Sequence, residues 1–178
     1  ESKLGKNKFG QGHPVGGVWV VGLIERSRPG YKGKFVVVSV QNRNGPTLAA
    51  IINKYVRPGS CLYSDMWKGY RTWELGELGI LHRTVNHSLY FKDPLTGVHT
   101  NTIEGIWQSL KHRVPKQKYK LGKVDSYLWE FKWRRRFADN TWERLLHCWR
   151  VTQYDGDDAH IPNACNIMYL TWQLGNEV

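Results

Sequence analysis

The chain has 178 residues, of which 40% are hydrophobic and 13% aromatic, with nine tryptophans. This composition excludes a disordered polymer and suits one domain with a substantial core. The three cysteines are odd in number and none forms a Cys-x-x-Cys pair, which argues against a disulfide framework or a structural zinc site. No apolar run approaches the roughly 20 residues that span a bilayer, so no membrane partner is expected.

The net charge of +11 is unevenly distributed along the chain. Residues 111–150 carry twelve Lys and Arg against four acidic residues, whereas residues 45–110 are nearly neutral and residues 151–178 are acidic. Clustered cations release counterions from phosphates, so a polyanionic partner such as nucleic acid is expected. The alternative is a basic surface that serves only solubility.

The first half of the chain predicts a hairpin, a helix and a strand. Residues 2–17 are typical of a loop or loose hairpin. Apolar, β-branched runs predict antiparallel strands at 18–24 and 35–40. Helical spacing from Leu48 to Val56, with Thr47 as the N-cap, predicts a helix. Residues 60–64 then predict a short strand with Asp65 at its carboxyl end.

The second half of the chain alternates further elements. The patterns predict helices at 67–75, 100–114, 125–137 and 140–152, a strand at 81–85, a turn at 93–97 and a basic loop at 116–123. This order is mixed α/β. With a first strand missing before residue 1, it matches the plan of an RNase H-like mixed sheet with flanking helices, which is fold analogy and not evidence of function.

Two acidic residues are candidates for metal chemistry. Asp65 follows a strand, where α/β sheets place functional groups, although an Asp there also caps helices. Glu104 begins the 100–114 helix, and Lys111 returns to nearly the same face seven residues later. Such a stripe suits a metal and a phosphate, but equally a solvated Glu–Lys face or a capping Glu. Several histidines lie nearby, without the spacing of a zinc site.

One phrase of the sequence resembles a known family. It runs from Thr84-Val85-Asn86-His87-Ser88, through Asp93-Pro94, to His99-Thr100-Asn101-Thr102-Ile103-Glu104-Gly105-Ile106-Trp107 and Leu110-Lys111. This phrase resembles the ISXO2-like transposase domain, in particular the eukaryotic Merlin transposases and their bacterial relatives. Further matches occur in order at residues 1–6, 18–26, 64–70 and 130–135. The resemblance covers roughly residues 1–146 and implies a core over 1–150, followed by a tail of unassigned role.

The resemblance implies a DDE-type triad on an RNase H-like fold, cut-and-paste DNA transposition, and Mg²⁺ or Mn²⁺ as cofactor. Asp65 matches the second acid and Glu104 the third, and both would ligate metal. Asn101 and Lys111 match positions that accompany the third acid. The cations expected to follow the DNA backbone are Lys116, Lys118, Lys120, Lys123, Arg134, Arg135 and Arg136. The implied partners are transposon ends, target DNA and further copies of the chain assembled on DNA.

The sequence departs from the family at its first residue. The family's opening motif reads Asp-Glu-Ser and its Asp is the first catalytic acid, whereas this chain opens at Glu1-Ser2. We therefore expect little cleavage by residues 1–178 alone. The alternatives are a domesticated or decayed relative that binds nucleic acid without cutting it, and a generic RNase H-like nuclease. The expected location is nuclear for a eukaryotic source and cytoplasmic otherwise.

Overall fold

The computed structural model describes residues 1–5, 17–70 and 78–151. Strands β1 (Ser2–Leu4), β2 (Val18–Ile24) and β3 (Phe35–Val40) form an antiparallel sheet in that order. Strands β4 (Cys61–Asp65) and β5 (Leu81–Val85) pair in parallel. The predicted hairpin of two apolar strands and the strand at 81–85 are thus confirmed with their predicted bounds.

The described residues also contain four α-helices and two short 3₁₀ turns, so the fold is mixed α/β, as predicted. The helices are α1 (Gly45–Tyr55), α2 (Asn101–Arg113), α3 (Asp125–Arg136) and α4 (Thr141–Val151), and the turns are Lys68–Tyr70 and Lys116–Lys118.

Alternation along β2 builds a hydrophobic core on each face of the antiparallel sheet. Val20 packs in a cluster with Trp107 and Leu110 of α2, which α3 extends with Leu128 and Phe131. The next residue, Val21, packs on the opposite face with Leu48 and Ile52 of α1. The sheet therefore lies between α1 and the α2–α3 pair, and one edge of it carries β1.

Two predictions about the N-terminal half are wrong. The first strand is not missing, because Ser2–Leu4 pairs with Val18–Val20 at the edge of the sheet. Helix α1 is capped by Asn44 and not by Thr47: the Asn44 side chain accepts a hydrogen bond from the backbone nitrogen of Thr47. Pro46 fits the first turn of the helix, where a backbone N–H is not needed, so the helix begins before Thr47.

Parts of other predictions lie outside the described residues. Of the helix predicted at 67–75, the turn Lys68–Tyr70 is 3₁₀, and residues 71–77 are not described. Residues 152–178 are not described either. Cys61 is exposed on β4, and Cys148 is buried in α4. None of the helices in the described ranges combines the length and apolar character that a membrane span requires.

Candidate active site

A cavity of about 120 Å³ brings together residues from distant parts of the sequence. Its walls come from β2, β4, α1 and α2, and three acidic residues line it: Glu1, Asp65 and Glu104. Two of the three are the acids that the sequence singles out. The carboxylates thus reach one cavity from β4, from the first turn of α2 and from the start of β1.

Asp65 is held at the carboxyl end of β4. Its Oδ1 accepts a hydrogen bond from the backbone nitrogen of Trp67 at 3.1 Å. The capping role considered for Asp65 is therefore present, on the short turn Lys68–Tyr70 instead of a long helix. No described residue donates to the other carboxylate oxygen, Oδ2.

Glu104 lies in the first turn of α2 with its side chain about half exposed. Its Oε1 accepts a hydrogen bond from the Thr100 hydroxyl at 2.7 Å and lies 3.3 Å from His87 Nε2. His87 Nε2 is in turn 2.6 Å from the Thr100 hydroxyl. These contacts fix one carboxylate oxygen, while no described residue donates to Oε2.

Glu1 is committed to a different set of partners. Its side chain is 1% exposed, and its Oε1 accepts from Arg43 at 2.7 Å. Its Oε2 accepts from the hydroxyl of Tyr70, also at 2.7 Å. Because both carboxylate oxygens are already bound, Glu1 is a poor replacement for a metal-ligating first acid.

The buried surroundings shift the pKa values of two neighbouring groups. Burial, followed by the carboxylates of Glu1 and Asp65, raises the pKa of Tyr70 far above its usual value, so its hydroxyl remains a donor to Glu1. Burial lowers the pKa of His82, whose Nε2 lies 2.8 Å from the Ser64 hydroxyl beside Asp65. Both groups are therefore neutral at pH 7.

Asn101 and Lys111 lie outside the cavity. Asn101 is the exposed first residue of α2, and Lys111 is exposed near its other end. Seven residues of helix put Lys111 about 10 Å further along the axis than Glu104. Lys111 is therefore not among the residues that line the cavity with Glu104.

The predicted DNA-binding cations form two separate groups. Lys116, Lys118, Lys120 and Lys123 are exposed in the segment before α3, and Arg134–Arg136 are exposed in its last turn. The nine helical residues Asp125–Trp133 lie between the two groups and span about 14 Å along the helix axis. Arg134 pairs with Glu130 at 2.7 Å, and the Arg135 guanidinium lies 5.6 Å from the centre of the Phe35 ring.

The donor set suits Mg²⁺ or Mn²⁺ in type, since both prefer hard oxygen ligands. Asp65 and Glu104 are the residues that could supply them. However, no group of three His, Cys, Asp or Glu side chains in the described ranges is close enough to hold a metal ion. Asp65 and Glu104 therefore fit the metal in donor type, whereas the described residues do not provide a complete set of three ligands.

Sequence reasoning missed the residues that hold these acids. His87 and Thr100 belong to the phrase that resembles the family, but their contacts to Glu104 depend on how the 86–100 loop folds back. Arg43 precedes α1 in a turn, and no motif marks it. Only the folded chain brings Arg43 to Glu1 and His87 to Glu104.

Comparison with known proteins places the chain in a family. The chain is similar to an uncharacterized transposase-like protein of Haemophilus influenzae, with 30% identity over 109 residues. The matched region covers 58% of this chain and 81% of the relative. No solved structure matches the chain. The family model of the ISXO2-like transposase domain matches residues 2–136. The chain therefore belongs to the ISXO2-like transposase domain family.

Proposed function

We propose that the chain is the catalytic core of a DDE-type DNA transposase with an RNase H-like fold. The observation that carries this proposal is that Asp65 and Glu104, from separate elements, line one cavity in a chain of this family. Both acids keep one carboxylate oxygen that no described residue occupies. Family membership and the bacterial transposase-like relative favour this function over that of a decayed binder.

The position of the first acid follows from the strand register. Ser2 pairs with Val20, so a residue directly before Glu1 would lie opposite Gly22 if β1 continues. Gly22 faces α2, because a Cβ atom on it would lie 2.5 Å from the Trp107 ring. Paired residues share a face, so an Asp before Glu1 would point toward α2 and Glu104.

The same extension would occupy the space between the two sheets. Among the described residues, Val21–Ile24 of β2 pair with β3 but not with β1. The cavity lies between this part of β2 and residues 62–65 of β4. A strand extended upstream of Glu1 would run along this gap and carry its acid to Asp65.

The proposed reaction is phosphodiester hydrolysis at transposon ends, followed by attack of the released 3′-hydroxyl on target DNA. In the first step water bonds to phosphorus and the 3′-oxygen leaves with a proton. In the second step the 3′-hydroxyl oxygen bonds to a target phosphorus as the bond from that phosphorus to its own 3′-oxygen breaks, and the expelled 3′-oxygen takes up the proton that the attacking hydroxyl loses. Bound divalent cations would activate the nucleophile and stabilise the leaving oxygen. Asp65 and Glu104 would hold these cations, and Thr100 and His87 contact Glu104 and would keep it in place.

The exposed cations would hold the DNA against this cavity. Lys111 lies on α2 between the cavity and the lysines of the 116–123 loop, and Arg134–Arg136 continue the positive charge at the far end of α3. A duplex carries a phosphate about every 3.4 Å along each strand, so the roughly 14 Å of helix between the two groups spans about four phosphates.

The decisive experiment measures strand cleavage on labelled transposon-end duplex with Mg²⁺ or Mn²⁺. Residues 1–178 alone should cleave poorly, because two carboxylates offset the repulsion between two cations less than three do. A protein extended upstream of Glu1, with Asp directly before it, should cleave. Asp65→Asn in the extended protein should abolish cleavage, since the amide keeps the shape and loses the charge. Robust cleavage by residues 1–178 that survives Asp65→Asn would refute the proposed site.

A further inference from the structure

Arg43 contacts residues of three separate parts of the fold, one of which is the cavity-lining Glu1. Its guanidinium carbon lies 4.1 Å from the centre of the Trp19 ring in β2 and 3.5 Å from that of Trp67, which follows β4. The same guanidinium donates to Glu1, beside β1, at 2.7 Å. One side chain thus connects the antiparallel sheet with the end of the parallel pair.

These contacts require an arginine. A guanidinium is planar, stacks on aromatic rings and donates in a fixed direction, whereas an ammonium is a compact, strongly hydrated point charge. Glu1 is almost fully buried, and Tyr70 occupies its second oxygen. Loss of the Arg43 contact would leave a buried carboxylate without its counter-charge.

The contacts continue to Asp65 through Trp67. The Trp67 indole nitrogen donates to the carbonyl oxygen of Arg43 at 3.5 Å, and its backbone nitrogen donates to Asp65 Oδ1 at 3.1 Å. The turn after it passes close by, since a Cβ atom on Gly69 would lie 2.7 Å from the same indole nitrogen. A shift of Trp67 would therefore alter the hydrogen bond that orients Asp65.

Backbone pairing does not hold these parts together in the described ranges. There, β1 belongs to the antiparallel sheet, β4 belongs to the parallel pair, and no ladder joins them. We propose that Arg43 is a positioning residue. Through its contact with Glu1, which also binds Tyr70, it sets the distance between β1 and the Asp65 end of β4. This proposal rests on the proposed function, in which that distance fixes the spacing of the first two metal-binding acids.

The test substitutes Arg43→Lys in the 178-residue chain and measures amide hydrogen exchange and Mn²⁺ affinity. Exchange at 61–70 should accelerate relative to 35–40, and Mn²⁺ affinity should fall about 10- to 100-fold, as for other residues that support a metal ligand. Tyr70→Phe should produce a smaller change in the same direction. Arg28→Lys, which alters an exposed arginine stacked on Tyr31, is the matched control and should change neither quantity.

If the ion pair of Arg43 with Glu1 only stabilised the fold, Arg43→Lys would act like any other destabilising substitution. Leu128→Ala, in the core on the opposite face, lowers stability without touching this cluster, so it should not reproduce the local exchange at 61–70 or the affinity loss. If Arg43→Lys and Leu128→Ala give the same pattern, or if folded Arg43→Lys and Tyr70→Phe match the parent, the proposal is wrong. If Asp65→Asn leaves Mn²⁺ affinity unchanged, the proposed metal site fails, and the exchange pattern alone decides the role of Arg43.

Discussion

The acids of the cavity and the lysines of the 116–123 loop are held in opposite ways. These lysines and Arg134–Arg136 together are called the basic surface below. Each acid in the cavity accepts hydrogen bonds from residues distant in sequence or from a local turn, as Glu1 does from Arg43 and Tyr70. By contrast, the lysines of the 116–123 loop are exposed and form no ion pair with a described residue. The structure therefore constrains the carboxylates in position and these lysines only in approximate location.

This difference matches what the two regions are proposed to do. Metal-assisted chemistry requires ligands within a fraction of an ångström, so their side chains must be held by neighbours. Phosphate binding depends mainly on the number of nearby cations and is independent of base sequence. A single substitution in the cavity should therefore cause a large loss of cleavage. Each substitution on the basic surface should instead weaken DNA binding by a small, additive amount.

The largest effect is expected for Glu104→Gln in the extended protein. The amide preserves the side-chain size but removes the charge, so cleavage of labelled duplex should fall by at least about 100-fold, which corresponds to roughly 2.7 kcal/mol in the barrier. DNA affinity should not fall. Glu130→Gln, at an exposed acid of α3 that pairs with Arg134, is the control and should retain activity. Equal losses in both variants would contradict the distinction between the two regions.

The sequence predicts which acids line the cavity better than it predicts the residues that hold those acids in place. Asp65 and Glu104 are recognisable because a strand end and a helix start are local features, and both reach the cavity. The support for them is not local: Thr100 and His87 are 13 residues apart, and Glu1 meets Tyr70 across 69 positions. The predicted cap of α1 is wrong by three residues because Asn44 and Thr47 are both good N-caps, and only the fit of Pro46 inside the helix separates them.

The second effect concerns the basic surface. Arg134, Arg135 and Arg136 replaced together by Ala should make the slope of log K against log salt less negative by up to about 2.7, since each lost phosphate contact contributes about 0.9. Fluorescence anisotropy of labelled duplex over a salt series measures this slope. Lys116, Lys118 and Lys120 replaced together should have a similar effect. Unchanged slopes in both proteins would place the DNA on another surface.

A smaller effect is expected at two glycines, one in β2 that faces α2 and one on the exposed side of α2. Gly22 faces Trp107 so closely that Gly22→Ala should destabilise the fold by about 1–3 kcal/mol through overpacking. Gly105 in α2 is exposed, and a Cβ atom there would meet nothing within 4 Å. Gly105→Ala should therefore stabilise the protein by up to about 1 kcal/mol through helix propensity. Urea denaturation measures both, and equal effects would show that β2 and α2 are less closely packed.

The smallest effect is a dependence of stability on pH at the edge of the cavity. Burial lowers the pKa of His82 in the folded protein below its ordinary value of 6.5. As pH falls from about 7.5 to 5.5, the unfolded chain therefore takes up a proton that folded His82 resists, so the free energy of unfolding should decrease. His82→Gln, which can still hydrogen-bond to Ser64, should reduce this decrease. Urea midpoints at the two pH values measure this change in stability.

His99, whose pKa burial also lowers, contributes in the same direction. Some pH dependence of stability should therefore remain in His82→Gln, and it should diminish further in the double variant with His99→Gln. A steeper dependence in His82→Gln than in the parent would show that His82 is protonated in the fold and that its contact with Ser64 has a different origin.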